Sequence, residues 1–322
     1  MIAVSYHDTV NVLQDVVTAP AGPFDRPEWF ALLAERETSP MVVVASEGEE
    51  VLALPLVRTN GRTEALRNWY SFTWRPVANS DPVLLAAAAR DLRSRTHRVT
   101  LWPVPDEEGS AARLADAFRI AGWSVLSEPC DHNHVLSIGG RSFSEYWAQR
   151  PGQMRTTLKR KAKKVEVEIL ESFDADAWTA YEAIYNESWK PEEGAPALLR
   201  RFAEAEGAAG RIRLGLARAE GVPVAAQFWT VENGTAYIHK LAHRESAQHL
   251  SAGATLTAAL FEHVIDRDKV ALIDFGTGDD PYKADWMELD RPRYRIDCLD
   301  PAQPRAWPAL AKRALARLRR AR

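Results

Sequence analysis

Cysteine is nearly missing from this 322-residue chain. Its two cysteines, Cys130 and Cys298, stand far apart and outside any CxxC spacing. That excludes a disulfide framework or a cysteine-based zinc site and fits a reducing cytosol. No apolar run reaches the roughly 18 residues of a membrane-spanning helix. The start, Met1-Ile2-Ala3-Val4-Ser5-Tyr6-His7-Asp8, lacks a basic segment followed by an apolar one, so no secretory signal is expected. Positive charge is not in excess either. Against 44 Asp and Glu stand 41 Lys and Arg, a net charge of -3, which speaks against broad nucleic-acid binding. There is no GxSxG nucleophile elbow, and neither cysteine has the context of a nucleophile. His132 and His134 share one side of an extended stretch beside Asp131 without a third spaced ligand, so no metal is expected. The composition, 46% hydrophobic and 26% charged, is that of a soluble cytoplasmic protein long enough for two domains.

What is present is a repeated order of elements. In the first half, residues 27–37 carry Trp29, Phe30, Leu32 and Leu33 at helical spacing, with Asp25 as the expected N-cap. Strands are expected at 41–45, 51–57 and within 66–77, then an Ala-rich helix opening at Asp81-Pro82, a strand at 99–104 and a helix at 110–121. Closing strand segments follow at 123–126 and 135–138. The second half opens with the capping-box spacing of Ser142 and Glu145, then a basic helix at 154–164, a strand at 165–170 and helices at 175–189 and 195–206. Strands at 212–219, 222–231 and 235–242 are joined by turns at Glu220-Gly221 and Glu232-Asn233-Gly234. A helix at 253–266, a buried strand at 270–275, a short helix at 282–287 and a strand at 294–299 complete it. Both halves run helices, antiparallel strands, helix, strand, helix, strand. This predicts an α/β (α+β, mixed-sheet) fold in two similar domains, 1–140 and 141–303, followed by a basic helix at 304–322.

Chemistry concentrates after the third of those strands. Ser251, Ala252, Gly253 and Ala254 lead into an apolar helix carrying Leu256, Ala259, Leu260 and Val264. Small side chains let a ligand reach the backbone, and the first amides of a helix together with its macrodipole suit a diphosphate. The plainer reading is a helix that merely starts with small residues.

Gln248-His249-Leu250-Ser251-Ala252-Gly253 resembles the Q/R-x-x-G-x-G/A signature of the GNAT acyltransferases, which cradles the coenzyme A pyrophosphate; Ser251 stands at the first glycine. Three further features resemble the FemAB-like and BioF2/CelD-like branch of that superfamily. They are the Ser-Ala-Gly helix start, where Ala252 replaces a frequent proline, Asp274-Phe275-Gly276-Thr277-Gly278, and Tyr282-Lys283-Ala284-Asp285-Trp286. The basic run from Arg155 to Lys164 resembles the branch's Arg-rich segment. The resemblance covers residues 145–300 directly and the first half by element order. It implies two tandem GNAT-like domains, each a mostly antiparallel mixed sheet flanked by helices. It also implies acyl-CoA or acyl-ACP as co-substrate, an amine acceptor, and a cofactor site at Gln248, Ser251, Ala252, Gly253, Ala254 and Thr255. The family's oxyanion donor is usually a backbone amide of the preceding strand, here 235–242, which puts the reacting centre between that strand and the one ending at Phe275.

Attack on a thioester needs a neutral amine, whereas a lysine-like amine with a pKa of about 10.4 is protonated at neutral pH. A base or a desolvating pocket is therefore expected, with a donor for the oxyanion and an acid for the thiolate. His239 is the first base candidate, on one face with Tyr237 and Leu241 while Lys240 points oppositely; the alternative is a packed strand histidine. Asp274 either orients the amine or acts as base, or else holds a turn through Gly276. Tyr282 either protonates the thiolate or packs. Lys240, Lys283, Trp286, Arg155 and Arg160 are the expected substrate-side residues, Lys283 and the basic run having a solvated role as the alternative. Trp69, Trp74, Trp147, Trp189 and Trp229 either fill the core or line an acyl groove.

The last segment sets an apolar stripe of Trp307, Leu310, Ala311, Ala314, Leu315 and Leu318 beside Lys312, Arg313, Arg317, Arg319, Arg320 and Arg322. That is the pattern of a basic amphipathic helix lying on an anionic membrane surface, peripheral at its inner face, or of a helix whose stripe packs on the body. In the first case the acceptor is expected to be a lipid or envelope-polysaccharide precursor, such as a long-chain base or a lipid-linked sugar amine. Two other functions compete. FemAB-like aminoacyl transfer to a cell-wall precursor usually brings a helical-hairpin insertion, and no such heptads occur. The other is a non-catalytic scaffold that binds a lipid or polysaccharide.

Overall fold

A computed structural model describes residues 1–320 apart from Thr38 and Asn60. In chain order the elements are β1 (Ala3–His7), α1 (Leu13–Val16), α2 (Pro27–Ala34), β2 (Pro40–Glu47), β3 (Glu50–Thr59), β4 (Arg62–Ala65), α3 (Pro82–Leu92), β5 (Arg98–Pro105), α4 (Ser110–Ile120) and β6 (Ser124–Ser137). There follow α5 (Phe143–Ala148), α6 (Gly152–Lys161), β7 (Glu166–Leu170), α7 (Ala175–Asn186), α8 (Pro196–Ala208), β8 (Ile212–Ala219), β9 (Val222–Glu232) and β10 (Thr235–His243). The chain ends with α9 (Ala252–Glu262), β11 (Leu272–Thr277), α10 (Lys283–Trp286), β12 (Leu289–Leu299) and α11 (Trp307–Arg320).

The chain forms two compact units, one of Met1–His132 with Arg291–Arg322 and the other of Asn133–Asp290. The expected divisions at 140/141 and 303/304 thus fall at 132/133 and 290/291. The physical reason is pairing: β12 forms an antiparallel ladder with β5 and so belongs to the first unit, while residues 133–137 of β6 pair with β11 in the second.

Each unit repeats one topology. The first runs β1-β2-β3-β4-β5-β12, antiparallel except for the parallel pair β4/β5. The second runs β7-β8-β9-β10-β11-β6, antiparallel except for the parallel pair β10/β11. In both, two helices follow the first strand and one helix crosses between the parallel strands, α3 in the first unit and α9 in the second. The duplication expected from element order is therefore present as an α/β fold with mixed sheets.

Local chemistry explains most boundaries. Ser142 and Glu145 form a reciprocal capping box at α5, and Asp174 caps α7 by accepting from the Ala177 amide at 2.7 Å. The β8–β9 and β9–β10 hairpins turn at Glu220-Gly221 (φ 51° and 78°) and Asn233-Gly234 (φ 48° and 71°), with both central residues left-handed as a twisted two-residue turn requires. Elsewhere the sequence reading is corrected. β1 precedes the first helices and had no counterpart in it. Residues 66–77 form no strand beyond a single Ala53–Val77 bridge, because β4 ends at Ala65. The expected N-cap Asp25 is buried beside Arg75 instead; Arg26 takes the cap position, without a side-chain bond. The two closing segments are one strand, β6.

The second unit's core joins Tyr146, Trp229, Leu256, Leu260, Phe261 and Trp286, all at most 5% exposed, at roughly 1.5–3 kcal/mol per large apolar side chain buried. Trp74 and Trp229 are core residues, whereas Trp69 and Trp189 are half exposed.

Candidate functional site

The geometry of the site begins at Ser251. It sits in the left-handed region (φ 54°, ψ 36°) as the N-cap of α9 and makes no side-chain capping bond. The first bond into the helix is Thr255 N to Ser251 O at 3.0 Å. The amides of Ala252, Gly253 and Ala254 precede it and point outward, as helix geometry dictates. A Cβ at Gly253 would lie 3.2 Å from His243 Nδ1, so that ring would have to give by a few tenths of an ångström.

Three neighbours shape this start. Lys161, from the last turn of α6, donates its ammonium to Ser251 Oγ at 3.2 Å. Gln227, buried on β9, donates to Gly253 O (3.1 Å) and Thr257 Oγ1 (2.6 Å) and accepts from Trp229 Nε1 (2.9 Å), fixing the first turn from below. His243 ends β10 with its ring centroid 4.3 Å from that of Trp189; burial, then Lys190, lowers its pKa and favours a neutral ring. A lysine ammonium beside uncapped amides makes the start of α9 electropositive, as a diphosphate requires. Of the expected cofactor residues, Ala252, Gly253 and Ala254 line this start. Gln248 is exposed and contributes its carbonyl to Ser251 N (3.1 Å), and Thr255 commits its hydroxyl to Ser251 O (3.0 Å).

The strands beside α9 part after Tyr237 and Asp274. The parallel ladder joins Thr235–Tyr237 to Leu272–Asp274 and, among the described residues, goes no further, although β10 runs to His243 and β11 to Thr277. Past that point β10 also slips by one residue against β9, at His239. The bulge overturns the expected alternation. His239 stacks on Phe228 (4.9 Å) and meets Phe202 edge-on (5.2 Å), its Nε2 2.7 Å from Thr230 Oγ1. Lys240 lies on that same side, its Nζ 2.9 Å from Glu193 and 5.2 Å from the Tyr185 ring centroid. Leu241 points the other way, into the core with α9. A bulge places two successive side chains on one face, which strict alternation does not anticipate.

The remaining expectations divide. Asp274 accepts from Gly276 N and from Asn133 Nδ2, both at 2.7 Å, which is the turn-holding role. Lys283 is 4% exposed and donates to Thr277 O (2.5 Å) and Gly278 O (3.0 Å); it ties the loop after β11 instead of facing solvent or substrate. Trp286 is a core residue against Phe261 (5.1 Å) and Trp147 (5.9 Å), so it offers substrate no surface. Tyr282 stands edge-on to Phe275 (5.8 Å), and burial, then Asp280, pushes its phenol well above 10. Its side chain is 37% exposed, so the phenol is reachable from solvent. Arg155 and Arg160 are exposed on α6, Arg155 Nε bonding Arg150 O at 3.1 Å.

Lys161 belongs to the basic run for which a phosphate-bearing ligand was one expectation, whereas Gln227, His243 and Glu193 were not anticipated as site residues. A buried Gln amid the apolar run 224–229 was the one legible signal; the others depend on which elements meet. Glu193, the partner of Lys240, lines a cavity of ≈ 450 Å³ together with Trp178, Tyr181, Tyr185, Glu182 and Glu192.

The first unit's counterpart of α9 is closed. Asp81 caps α3, accepting from Val83 N (2.6 Å) and Leu84 N (3.0 Å), and Pro82 removes another donor. A carboxylate of the chain already occupies the place an anionic ligand would take.

Residues 152–284 match the family model of the acetyltransferase (GNAT) domain. Among solved structures, FemX aligns with a TM-score of 0.65 at 10% identity, covering 91% of this chain and 96% of that one. The C-terminal domain of a protein designated a lysylphosphatidylglycerol synthetase, from Agrobacterium fabrum, aligns with a TM-score of 0.60 at 13% identity, covering 95% and 96%. A tandem GNAT protein of the clavulanic acid biosynthesis pathway aligns with a TM-score of 0.52 at 13% identity, covering 92% and 98%. At such identities the likeness is one of fold. No curated protein matches the sequence.

Proposed function

We propose that the second unit, whose residues 152–284 match the GNAT family model and whose fold aligns with that of FemX, transfers an acyl group from an acyl-CoA or acyl-carrier-protein thioester to an amine. The observation that carries this reading is the uncapped, small-residue start of α9 with Lys161 beside it. Its amides and the ammonium would hold the diphosphate of coenzyme A, or the single phosphate of a carrier protein's phosphopantetheine, and the thioester would run toward the parting of β10 and β11. The acceptor would approach from the side of α7 and α8, where Glu182, Glu192 and Glu193 with three aromatic rings suit an ammonium group. Burial lowers the pKa of Lys240 in this region, and the same desolvation would favour the neutral, attacking form of an acceptor amine. His239 contributes packing on this face; the cavity's carboxylates are the groups placed to take the amine's proton.

Calorimetric titration of the protein with acetyl-CoA, long-chain acyl-CoAs and free CoA tests the donor site. Binding that disappears in Gly253→Asp supports the proposal, and failure of every thioester to bind the native chain removes it. The Agrobacterium protein's designation names a lysyl-lipid product, so aminoacyl transfer is the second reading. Turnover with an aminoacyl-tRNA donor and none with acyl thioesters would favour it.

A further inference from the structure

The side of α11 that meets the first unit is polar at its centre. Ala306, just before the helix, is buried and Leu310 half-buried. Between strand and helix, Arg313 donates to Ser124 O (3.0 Å) and Asp297 O (2.9 Å) and pairs with the Asp297 carboxylate (2.7 Å). The apolar stripe faces elsewhere. Trp307, Leu315 and Leu318 are 58%, 59% and 65% exposed, with Ala311 and Ala314 exposed between them. Packing of the stripe on the body, one of the two readings of the sequence, is therefore not what this helix does. Soluble surfaces scatter large apolar side chains singly, whereas here three share one helical face.

Charge decides what would cover that face. Residues 307–320 contain no Asp or Glu, and Lys312 and Arg319 stand exposed along the stripe's edge, with Arg305 just before it. Arg322 lies outside the described residues. A second copy of the same helix would bring like charges together. A polyanion in solution would use the charges and leave the apolar face wet. An anionic bilayer interface satisfies both at once, its acyl boundary taking the rings and leucines and its headgroups the cations. No helix among the described residues is long and apolar enough to cross a membrane, so the contact would be interfacial.

We propose that α11 is an interfacial anchor that lays Trp307, Leu315 and Leu318 into an anionic membrane surface. The proposal does not depend on the acyl-transfer reading. Flotation of the full chain tests it, with phosphatidylcholine vesicles and with vesicles containing phosphatidylglycerol, alongside the charge-preserving double variant Leu315→Ser/Leu318→Ser. Both positions are exposed, so the variant should keep the native melting temperature. The expected result is flotation with the anionic vesicles alone, weakened by salt, and reduced at least about tenfold in the variant. Four results would overturn it: a native chain that stays at the bottom of the gradient with anionic vesicles, a variant that floats as well as the native chain, equal flotation on both vesicle types, or self-association that the variant abolishes in place of flotation. RNA binding that the variant leaves intact, without flotation, would mark a charge-only surface and also overturn it.

Discussion

A carboxylate introduced at Gly253 should preserve or raise the protein's stability while weakening the proposed cofactor site, two effects that a misfolded variant cannot show together. Gly253 is the second residue of α9, where its Cβ would meet His243 Nδ1 at 3.2 Å and Cγ at 3.7 Å. That ring is half-buried and need move only slightly. Replacing glycine in a helix recovers a few tenths of a kcal/mol, and an acidic side chain in the first turn adds about 0.3–1 kcal/mol through the macrodipole. Gly253→Asp without ligand should thus be as stable as the native chain or up to about 1 kcal/mol more so.

A diphosphate on the same amides would meet the new charge at roughly 4 Å, where each like pair costs on the order of 1 kcal/mol in water and about 4 kcal/mol at a protein surface. At about 1.4 kcal/mol per decade, the affinity for coenzyme A should fall between roughly tenfold and a thousandfold. Gly253→Ala supplies the steric control and should lose little. Chemical denaturation without ligand gives the first quantity, and isothermal titration with coenzyme A and acetyl-CoA the second. Unchanged binding by the Asp variant would exclude a diphosphate on these amides. A loss in Ala equal to that in Asp would refute the charge effect, and destabilisation of the Asp variant by about 2 kcal/mol or more would refute the stability one.

Ser251 holds a left-handed backbone that only glycine adopts freely, so Ser251→Gly should be more stable than Ser251→Ala by about 0.5–1.5 kcal/mol in urea titrations; equal stability would deny the strain. Burial, with Lys190 next, depresses the pKa of His243. Between the folded pKa and 6.5 the unfolded chain therefore binds the extra proton, and stability should rise with pH across that window. His243→Gln should flatten that slope in denaturation midpoints taken from pH 5 to 7, and an unchanged slope would assign it to other groups. Burial alone would raise the Asp297 carboxyl, but hydrogen bonds and charge from Arg98 and Arg313 outweigh it and leave the pKa below the ordinary range. Its contribution is present above the unfolded value and is lost as pH falls through the folded one. Asp297→Asn should cost on the order of 2–4 kcal/mol at neutral pH and less in acid; a cost independent of pH would contradict the ion-pair account.

Much of the fold was legible because periodicity and turn chemistry agreed in the second unit. The strands 212–219 and 222–231 and the turns at Gly221 and Gly234 are close to those expected, since alternating apolar residues meet left-handed turn residues there. β1 was not legible, because the five residues Ala3-Val4-Ser5-Tyr6-His7 at a sheet edge show no regular alternation of polarity. Pairing across 197 residues, as between Thr100 and Asp297, leaves no local trace at all, and so the domain divisions shifted.

The site was legible to the extent that it is backbone. Small residues announce a helix start, and Ser251 leaves the first amides of α9 without a side-chain cap. Side chains were less legible, because a one-residue slip at His239 decides which face Lys240 takes, and Lys161 matters only because α6 ends beside Ser251. The duplication itself supplies the internal control. At one topological position the first unit carries Asp81-Pro82 and the second Ser251-Ala252-Gly253. A carboxylate cap is worth about 1 kcal/mol, and a left-handed non-glycine residue costs roughly as much. The second unit forgoes the first and bears the second at a place where its twin shows a stable alternative. Folding alone gives no reason for that choice; a diphosphate seated on those amides does.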